Sequence, residues 1–256
     1  MKTKIAIIKT FILIIVTCLV MAFVCLINSC VEFYFVERKI EEFVDRGEFY
    51  IEIGSTKYYK VSKAYEYEDT SRFVFNPLSP KRYVGSTADF LSTTRNPLRA
   101  YPIIGLISRL AWAGHSALVT EEDGSKICEV VGNEDDPKDN YVRIVENEWI
   151  SADTGSPHII GLRVKGLTNE ARETIVDYAN TQALEKDKYN FLFPLTRSNK
   201  YYCTDLVSRS YNEVDINLNN DGFMTSGNDM ILSKETYIIF FRKRVGNKFL
   251  VYYLTE

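Results

Sequence analysis

Histidine and cysteine are scarce in this chain, so their positions are informative. The 256 residues include 2 histidines and 5 cysteines. All but two of the cysteines lie in or beside a long apolar segment near the N-terminus, which leaves Cys128 and Cys203 for the rest of the chain. A cysteine becomes an effective nucleophile when a nearby imidazole takes its proton. Cys203 and His115 are therefore the candidates for covalent chemistry.

The residues after Cys203 predict a helix that begins near the cysteine. Apolar residues recur at helical spacing in this stretch, at Leu206, Val207, Tyr211 and Val214. A thiol at a helix N-terminus lies beside backbone N–H groups that favour the thiolate. The same groups can stabilise the oxyanion that forms when a thiolate attacks a carbonyl. We therefore interpret Cys203 as a nucleophile.

A predicted hairpin carries His115 and Glu129. His115 begins the run HSALVT, Glu129 lies in the run KICEVV, and the connecting EEDGS contains an Asp-Gly turn signal. His115 shares its strand face with Ala117 and Val119, and Glu129 shares its face with Ile127 and Val131, so both point toward the core. There a carboxylate and an imidazole are best satisfied by each other. They share a face of the hairpin only if the loop has an odd number of residues or a bulge, and we predict that arrangement. Glu129 would then orient the imidazole of His115.

Hydrophobic patterning predicts an α+β fold in which helices pack against an antiparallel sheet. Strands are expected at residues 88–92 (ADFLS), 141–146 (YVRIVE) and 158–164 (HIIGLRV), with a short buried helix or strand at 101–112. The other predicted elements are an amphipathic helix capped near Thr168 or Asn169 and a closing hairpin that turns at Gly246 and Asn247.

The N-terminal segment is long enough to cross a membrane. Residues 10–31 carry no charge, and a membrane-spanning helix needs about 20 such residues. Lysines precede the segment, so the positive-inside rule places the bulk of the chain outside the cytoplasm. Length and flanking charge favour an uncleaved anchor. A lipoprotein signal that ends at Cys30 and a cleaved signal peptide remain open, and both also export the domain.

Composition and motifs argue against several other classes of protein. The net charge is −3 with acidic and basic residues interspersed, so no basic stripe is available to bind nucleic acid. Neither GxGxxG nor GxxxxGK[ST] occurs, and there is no CxxC or HExxH. We therefore expect no nucleic-acid partner, no dinucleotide cofactor and no metal site.

Four segments together carry a resemblance to a known family. In chain order they are GHSALV, ICEVVGN, KYNFLF and YYCTDLVSRSY. This order resembles the circularly permuted, YiiX-like branch of the NlpC-type papain-fold cysteine hydrolases, in which the histidine strand precedes the cysteine helix. The resemblance covers roughly residues 88–211 and implies a permuted papain-like fold.

The resemblance also implies a role for each matching residue. Cys203 corresponds to the nucleophile, His115 to the general base and Glu129 to the residue that orients the histidine. Tyr202 corresponds to the aromatic residue before the nucleophile, with a role in substrate binding or oxyanion support. The domain organisation that follows is an anchor or signal segment at 1–31, an extension of unknown role at 32–87 and the papain-like domain at 88–256.

The expected function is that of a membrane-tethered, extracytoplasmic cysteine hydrolase or acyltransferase. It would attack an amide or ester carbonyl and form a thioester on Cys203. The expected substrates are peptides or lipids of the cell envelope, and no cofactor is needed. The alternative is an inactive papain-like module that binds peptide, lipid or a protein partner.

Overall fold

A large sheet organises the chain. The computed structural model describes residues 2–94, 110, 114–132, 137–150, 158–193, 197–219, 222 and 224–256. Within them the strands are β1 (Gly47–Ile53), β2 (Thr56–Ser62), β3 (Phe90–Thr93), β4 (His115–Val119), β5 (Lys126–Val130), β6 (Val142–Glu146), β7 (His158–Val164), β8 (Lys188–Tyr189), β9 (Lys200–Tyr201), β10 (Thr236–Val245) and β11 (Lys248–Thr255). The helices are α1 (Lys2–Asp45), α2 (Asn169–Glu185), α3 (Cys203–Asn212) and α4 (Gly227–Leu232).

The main sheet has nine strands in the order β1-β2-β11-β10-β7-β3-β4-β5-β6, and β8 and β9 form a separate pair. Neighbouring strands of the main sheet run antiparallel, as predicted, except that β2 and β11 are parallel. Parallel pairing is possible here because β2 and β11 are far apart in sequence, so no short connection forces them into a hairpin. The region at 32–87 thus contributes two strands to this sheet.

The predicted strands and helices at the centre of the chain are confirmed. The runs at 88–92, 141–146 and 158–164 form β3, β6 and β7. Thr168 caps α2, since its side chain accepts a hydrogen bond from the backbone N–H of Ala171 at 3.2 Å. The closing hairpin turns at Gly246, whose φ of 60° is favourable for glycine. The segment predicted at 101–112 lies, apart from Leu110, outside the described residues.

Helix α1 has two parts with different surroundings. Most of its length is apolar and exposed, and by length and composition it is a candidate membrane anchor or signal sequence. Its last turns pack against α4 and β10, and Val36, Ile40 and Phe43 are buried there. Lys39 Nζ donates hydrogen bonds to the carbonyl oxygens of Ile231, at 2.5 Å, and Thr236, at 3.0 Å. The helix is therefore continuous from its exposed apolar part to the globular core.

A buried ion pair joins β7 to the chain before β3. Arg163 and Asp89 are both almost fully buried. Arg163 Nε donates to Asp89 Oδ1 at 2.8 Å and Nη2 donates to Oδ2 at 2.7 Å. The guanidinium also donates to the carbonyl oxygens of Asp69 and Phe73, at 2.6 and 2.8 Å. These bonds attach a segment without regular secondary structure to the sheet and satisfy two charges that would otherwise be costly to bury.

We expect the Asp89→Ala substitution to destabilise the protein strongly, because it leaves the buried guanidinium of Arg163 without a counter-charge. The free energy of unfolding should fall by about 3–5 kcal/mol. Urea unfolding of the full chain in mild detergent, followed by circular dichroism, measures the change. Glu52→Ala is the control, because Glu52 forms an exposed ion pair with Lys248 and its loss should matter little. Equal effects of the two substitutions would contradict the prediction.

Candidate active site

The pairing of β4 with β5 brings the predicted base and its predicted partner to one face of the sheet. Ala117 lies opposite Glu129 in the antiparallel register. His115 is two residues before Ala117, so its side chain is on the same face and is a diagonal neighbour of Glu129.

The loop that sets this register has an odd number of residues, as predicted. The backbone N–H of Thr120 donates to the carbonyl oxygen of Lys126 at 3.0 Å, which leaves residues 121–125 as the loop. Gly124 has a φ of 74°, and a Cβ there would lie 2.5 Å from the carbonyl oxygen of Gly85. Glycine is therefore required both by the turn conformation and by the close approach of another segment.

Glu129 is held from both sides. Nε2 of His115 lies 2.8 Å from Glu129 Oε2 and donates to it, since an ionised carboxylate only accepts. Arg143, directly opposite Glu129 on β6, donates to Oε1 from Nε at 3.0 Å and from Nη2 at 2.8 Å. Both carboxylate oxygens are thus engaged. Sequence reasoning missed Arg143, because its alternation on β6 does not reveal which residue of β5 it faces.

The surroundings of Glu129 and His115 favour the charged form of each side chain. Burial alone would raise the pKa of Glu129, but hydrogen bonds and positive charge from His115 and Arg143 outweigh it and lower the pKa to about 2. Burial alone would likewise lower the pKa of His115. The nearby Cys203 and the hydrogen bond to Glu129, together with the negative charge of both groups, instead raise it to about 10. The imidazole is accordingly protonated at neutral pH.

Cys203 is the first residue of α3, as predicted, and its side chain is half-buried. It lies near enough to His115 to raise the pKa of the imidazole, and because Nε2 is bonded to Glu129, Nδ1 is the ring nitrogen left for the thiol. Tyr202 precedes the helix in an extended conformation and supplies no side-chain cap. The first intrahelical bond runs from Leu206 N to Tyr202 O, so the earlier N–H groups remain available to an anion beside the thiol.

Cys128 has a different environment. It is completely buried on β5, and its Sγ lies 3.5 Å from the carbonyl oxygen of Ala179, to which it donates. Burial and the neighbouring charge of Glu129 raise the pKa of this thiol to about 12. Cys128 therefore serves packing, and neither it nor Cys203 forms a disulfide.

Tyr202 is buried beside the thiol, and its hydroxyl oxygen accepts a hydrogen bond from the backbone N–H of Thr225 at 3.0 Å. Its ring packs edge-on against Phe193, with centroids 5.5 Å apart. These contacts fix the residue before Cys203 in place. A direct part in substrate binding or oxyanion support stays a prediction.

Trp149 is a further neighbour that sequence reasoning did not identify. Its ring lies 5.6 Å from the imidazole of His115, at an interplanar angle of 32°. It is half-buried and shields one side of the imidazole from solvent. Within the part of the chain that the structure describes, no cluster of three or more His, Cys, Asp or Glu side chains is arranged to bind a metal ion.

We expect the imidazole of His115 to remain protonated at neutral pH. Its pKa rises from 6.5 to about 10 in the folded protein. The stabilisation from its acidic partners is therefore fully present below pH 6.5 and is lost as the pH rises through about 10. NMR titration of the imidazole signals measures the midpoint, and a His158→Asn variant assigns the two histidines.

The same titration of Glu129→Gln should give a lower midpoint for His115, because one of its two negative partners is gone. The His158 signal is the internal control and should be unaffected. A wild-type His115 that titrates near pH 6.5 would contradict this account of the site.

Comparison with known proteins agrees with the predicted resemblance. A family model described as permuted papain-like amidase enzyme, YaeF/YiiX, C92 family, matches residues 99–231. This interval includes β4, β5 and α3, and therefore Cys203, His115 and Glu129. No curated protein and no solved structure matches the chain. Because the match spans more than half of the 256 residues, the chain belongs to the permuted papain-like amidase family.

Proposed function

We propose that this protein hydrolyses an amide bond by way of a thioester on Cys203. The observation that carries the proposal is the place of His115, which is hydrogen-bonded to Glu129 and lies near Cys203 at the N-terminus of α3. These three side chains supply a nucleophile, a proton carrier and a group that orients that carrier. Membership of an amidase family supports the same reaction class.

In the first half of the reaction, the thiolate of Cys203 attacks the carbonyl carbon of the substrate. The carbonyl oxygen becomes an oxyanion, which the free N–H groups at the start of α3 stabilise. The His115 imidazolium donates its proton to the leaving nitrogen, the C–N bond breaks and the amine departs. The acyl group remains on sulfur as a thioester.

In the second half, neutral His115 accepts a proton from water as the water oxygen attacks the thioester. The C–S bond breaks, the carboxylic acid leaves, and the thiolate and imidazolium are restored. Glu129 keeps Nε2 engaged throughout, so Nδ1 carries the transferred proton. Arg143 in turn holds the carboxylate of Glu129 from its other side. An acceptor other than water at this step would make the protein an acyltransferase.

Helix α1 supports a proposed location of the reaction outside the cytoplasm and close to the membrane. Its apolar part fits a membrane anchor, and the lysines before it favour an extracytoplasmic domain. The continuous helix would then hold the domain close to the bilayer. Peptides and lipids of the cell envelope are the substrates within reach, whether the N-terminus is an uncleaved anchor or is processed to a lipid-modified Cys30.

A lipid acyl group is a second candidate substrate. Phe191, Leu192 and Phe193 form an exposed apolar loop, and Phe193 contacts Tyr202, the residue next to the nucleophile. Such a loop suits an acyl chain that lies at or near a membrane surface. The same thioester chemistry would then act on a lipid amide or ester.

Acylation of Cys203 by p-nitrophenyl acetate tests the proposed function. We expect the full chain in detergent to release a burst of p-nitrophenol equal to the amount of enzyme, with the acetyl group found on Cys203 by peptide mapping. His115→Ala should slow this burst by at least about 100-fold. His158→Asn is the matched control and should retain the burst.

Cys128 is the internal reference for the mapping, because it is buried and its thiol is held neutral. Acetylation of Cys203 that is no faster than that of Cys128, or that does not change in His115→Ala, would overturn the proposed function. The inactive binding module would then be the better description.

A further inference from the structure

A cavity of about 470 Å³ lies where the chain before β6 meets β8 and β9. Its described lining consists of four lysines, three aromatic residues and one asparagine, with no acidic side chain among them. The mechanism proposed for Cys203 uses none of these residues. A concave site that is both basic and aromatic is suited to an anionic group attached to an apolar or planar one.

Tyr189 connects this cavity to the nucleophile. It lines the cavity, and burial together with the negative charge of Cys203 raises its pKa. Its ring lies 6.2 Å from the ring of Phe193, which packs against Tyr202 next to the nucleophile. The ring of Tyr189 also packs closely on Gly132, where a Cβ would lie 2.7 Å from it. Ring contacts from Tyr189 through Phe193 to Tyr202 therefore form an aromatic layer that runs from the cavity to the residue next to the nucleophile.

Three of the lysines occupy positions that are unfavourable for the stability of the folded protein. Lys188 and Lys200 lie directly opposite each other in the β8–β9 pair, where like charges repel. Lys186 ends α2 in the left-handed conformation, with a φ of 55°, at a position where glycine is usual. Asp187 lies between Lys186 and Lys188 in sequence but is buried and does not line the cavity.

Among the described residues, no carboxylate forms an ion pair with these three lysines. The Lys186 ammonium lies over the face of Tyr141 in a cation–π arrangement, 5.7 Å from the ring centroid. The positive charges of these three lysines repel one another, and an anion that binds between them relieves the repulsion.

We propose that the lysine cavity binds a carboxylate or phosphate group of the substrate whose carbonyl Cys203 attacks. This inference rests on the proposed function and specifies its substrate class, an amide or ester with an acidic group a short distance from the reacting carbonyl. The aromatic layer at Tyr189 would pack against the part of the substrate between the two. The preference for acidic substrates would then come from the lysines of the cavity and not from the residues that act on the carbonyl.

Matched alkylating probes test the proposal in the full chain. The compounds 4-(iodoacetamido)benzoate and 4-(iodoacetamido)benzamide share one reactive group and differ only in charge. The quantity measured is the ratio of their rate constants for modification of Cys203, read by peptide mapping. We expect the benzoate to react about tenfold faster, as several partly screened charge pairs would produce. A third probe, 4-(iodoacetamido)phenyl phosphate, carries phosphate in place of carboxylate. The ratio of its rate constant to that of the benzamide shows whether phosphate is preferred to carboxylate.

The lysine variants locate the source of any charge preference. The double substitution Lys188→Met with Lys200→Met should reduce the benzoate-to-benzamide ratio to about two. Lys186→Gly should reduce it less, and it guards against misfolding, because glycine adopts the left-handed conformation without strain. Lys57→Met is the matched control on β2, far across the sheet, and should keep the wild-type ratio.

Two outcomes would overturn the proposal while the proposed function stands. They are a wild-type ratio near one with rapid modification of Cys203 by both probes, and a high ratio that the lysine variants leave unchanged. If Cys203 reacts with the neutral probe no faster than Cys128 does, the proposed function fails, and the substrate subsite fails with it. A high ratio that falls in the lysine variants supports the cavity as the acidic subsite.

Discussion

The pairing register of β4 with β5 is the constraint on which the candidate site depends. With Ala117 opposite Glu129, His115 and Glu129 share one face of the sheet, and a shift of one residue would send their side chains to opposite faces. The five-residue loop between Thr120 and Lys126 sets this register. A local turn thus decides whether an imidazole and a carboxylate can meet.

Burial then determines how these groups behave. A carboxylate as enclosed as Glu129 would be costly to ionise alone, but His115 and Arg143 supply positive charge to both of its oxygens. The resulting network carries a proton on His115 next to Cys203. The hydrogen bond from Nε2 to Glu129 orients the imidazole, as the proposed transfer of a proton to a leaving group requires.

The strands on either side of β4 and β5 hold in place the two strands that carry His115 and Glu129. The ion pair between Arg163 and Asp89 fixes the chain that enters β3, and β3 is the strand that pairs with β4. On the other side, β5 pairs with β6, which carries Arg143. His115, Glu129 and Arg143 therefore lie on three adjacent strands at one end of the sheet rather than on loops. Only Cys203, the proposed nucleophile, comes from a helix, and the N–H groups at the start of that helix could stabilise an oxyanion.

The sequence by itself determined the helix start at Cys203, the hairpin, the odd-length loop and the apolar N-terminal segment, because helical spacing, strand alternation and turn residues are local signals. It did not reveal Arg143, Trp149 or the lysine cavity near Tyr189. Their roles depend on which strand lies beside which, and on loops that meet from distant parts of the chain. The tertiary structure decided those, because the burial and charge that make such residues chemically relevant arise only when separate segments pack together.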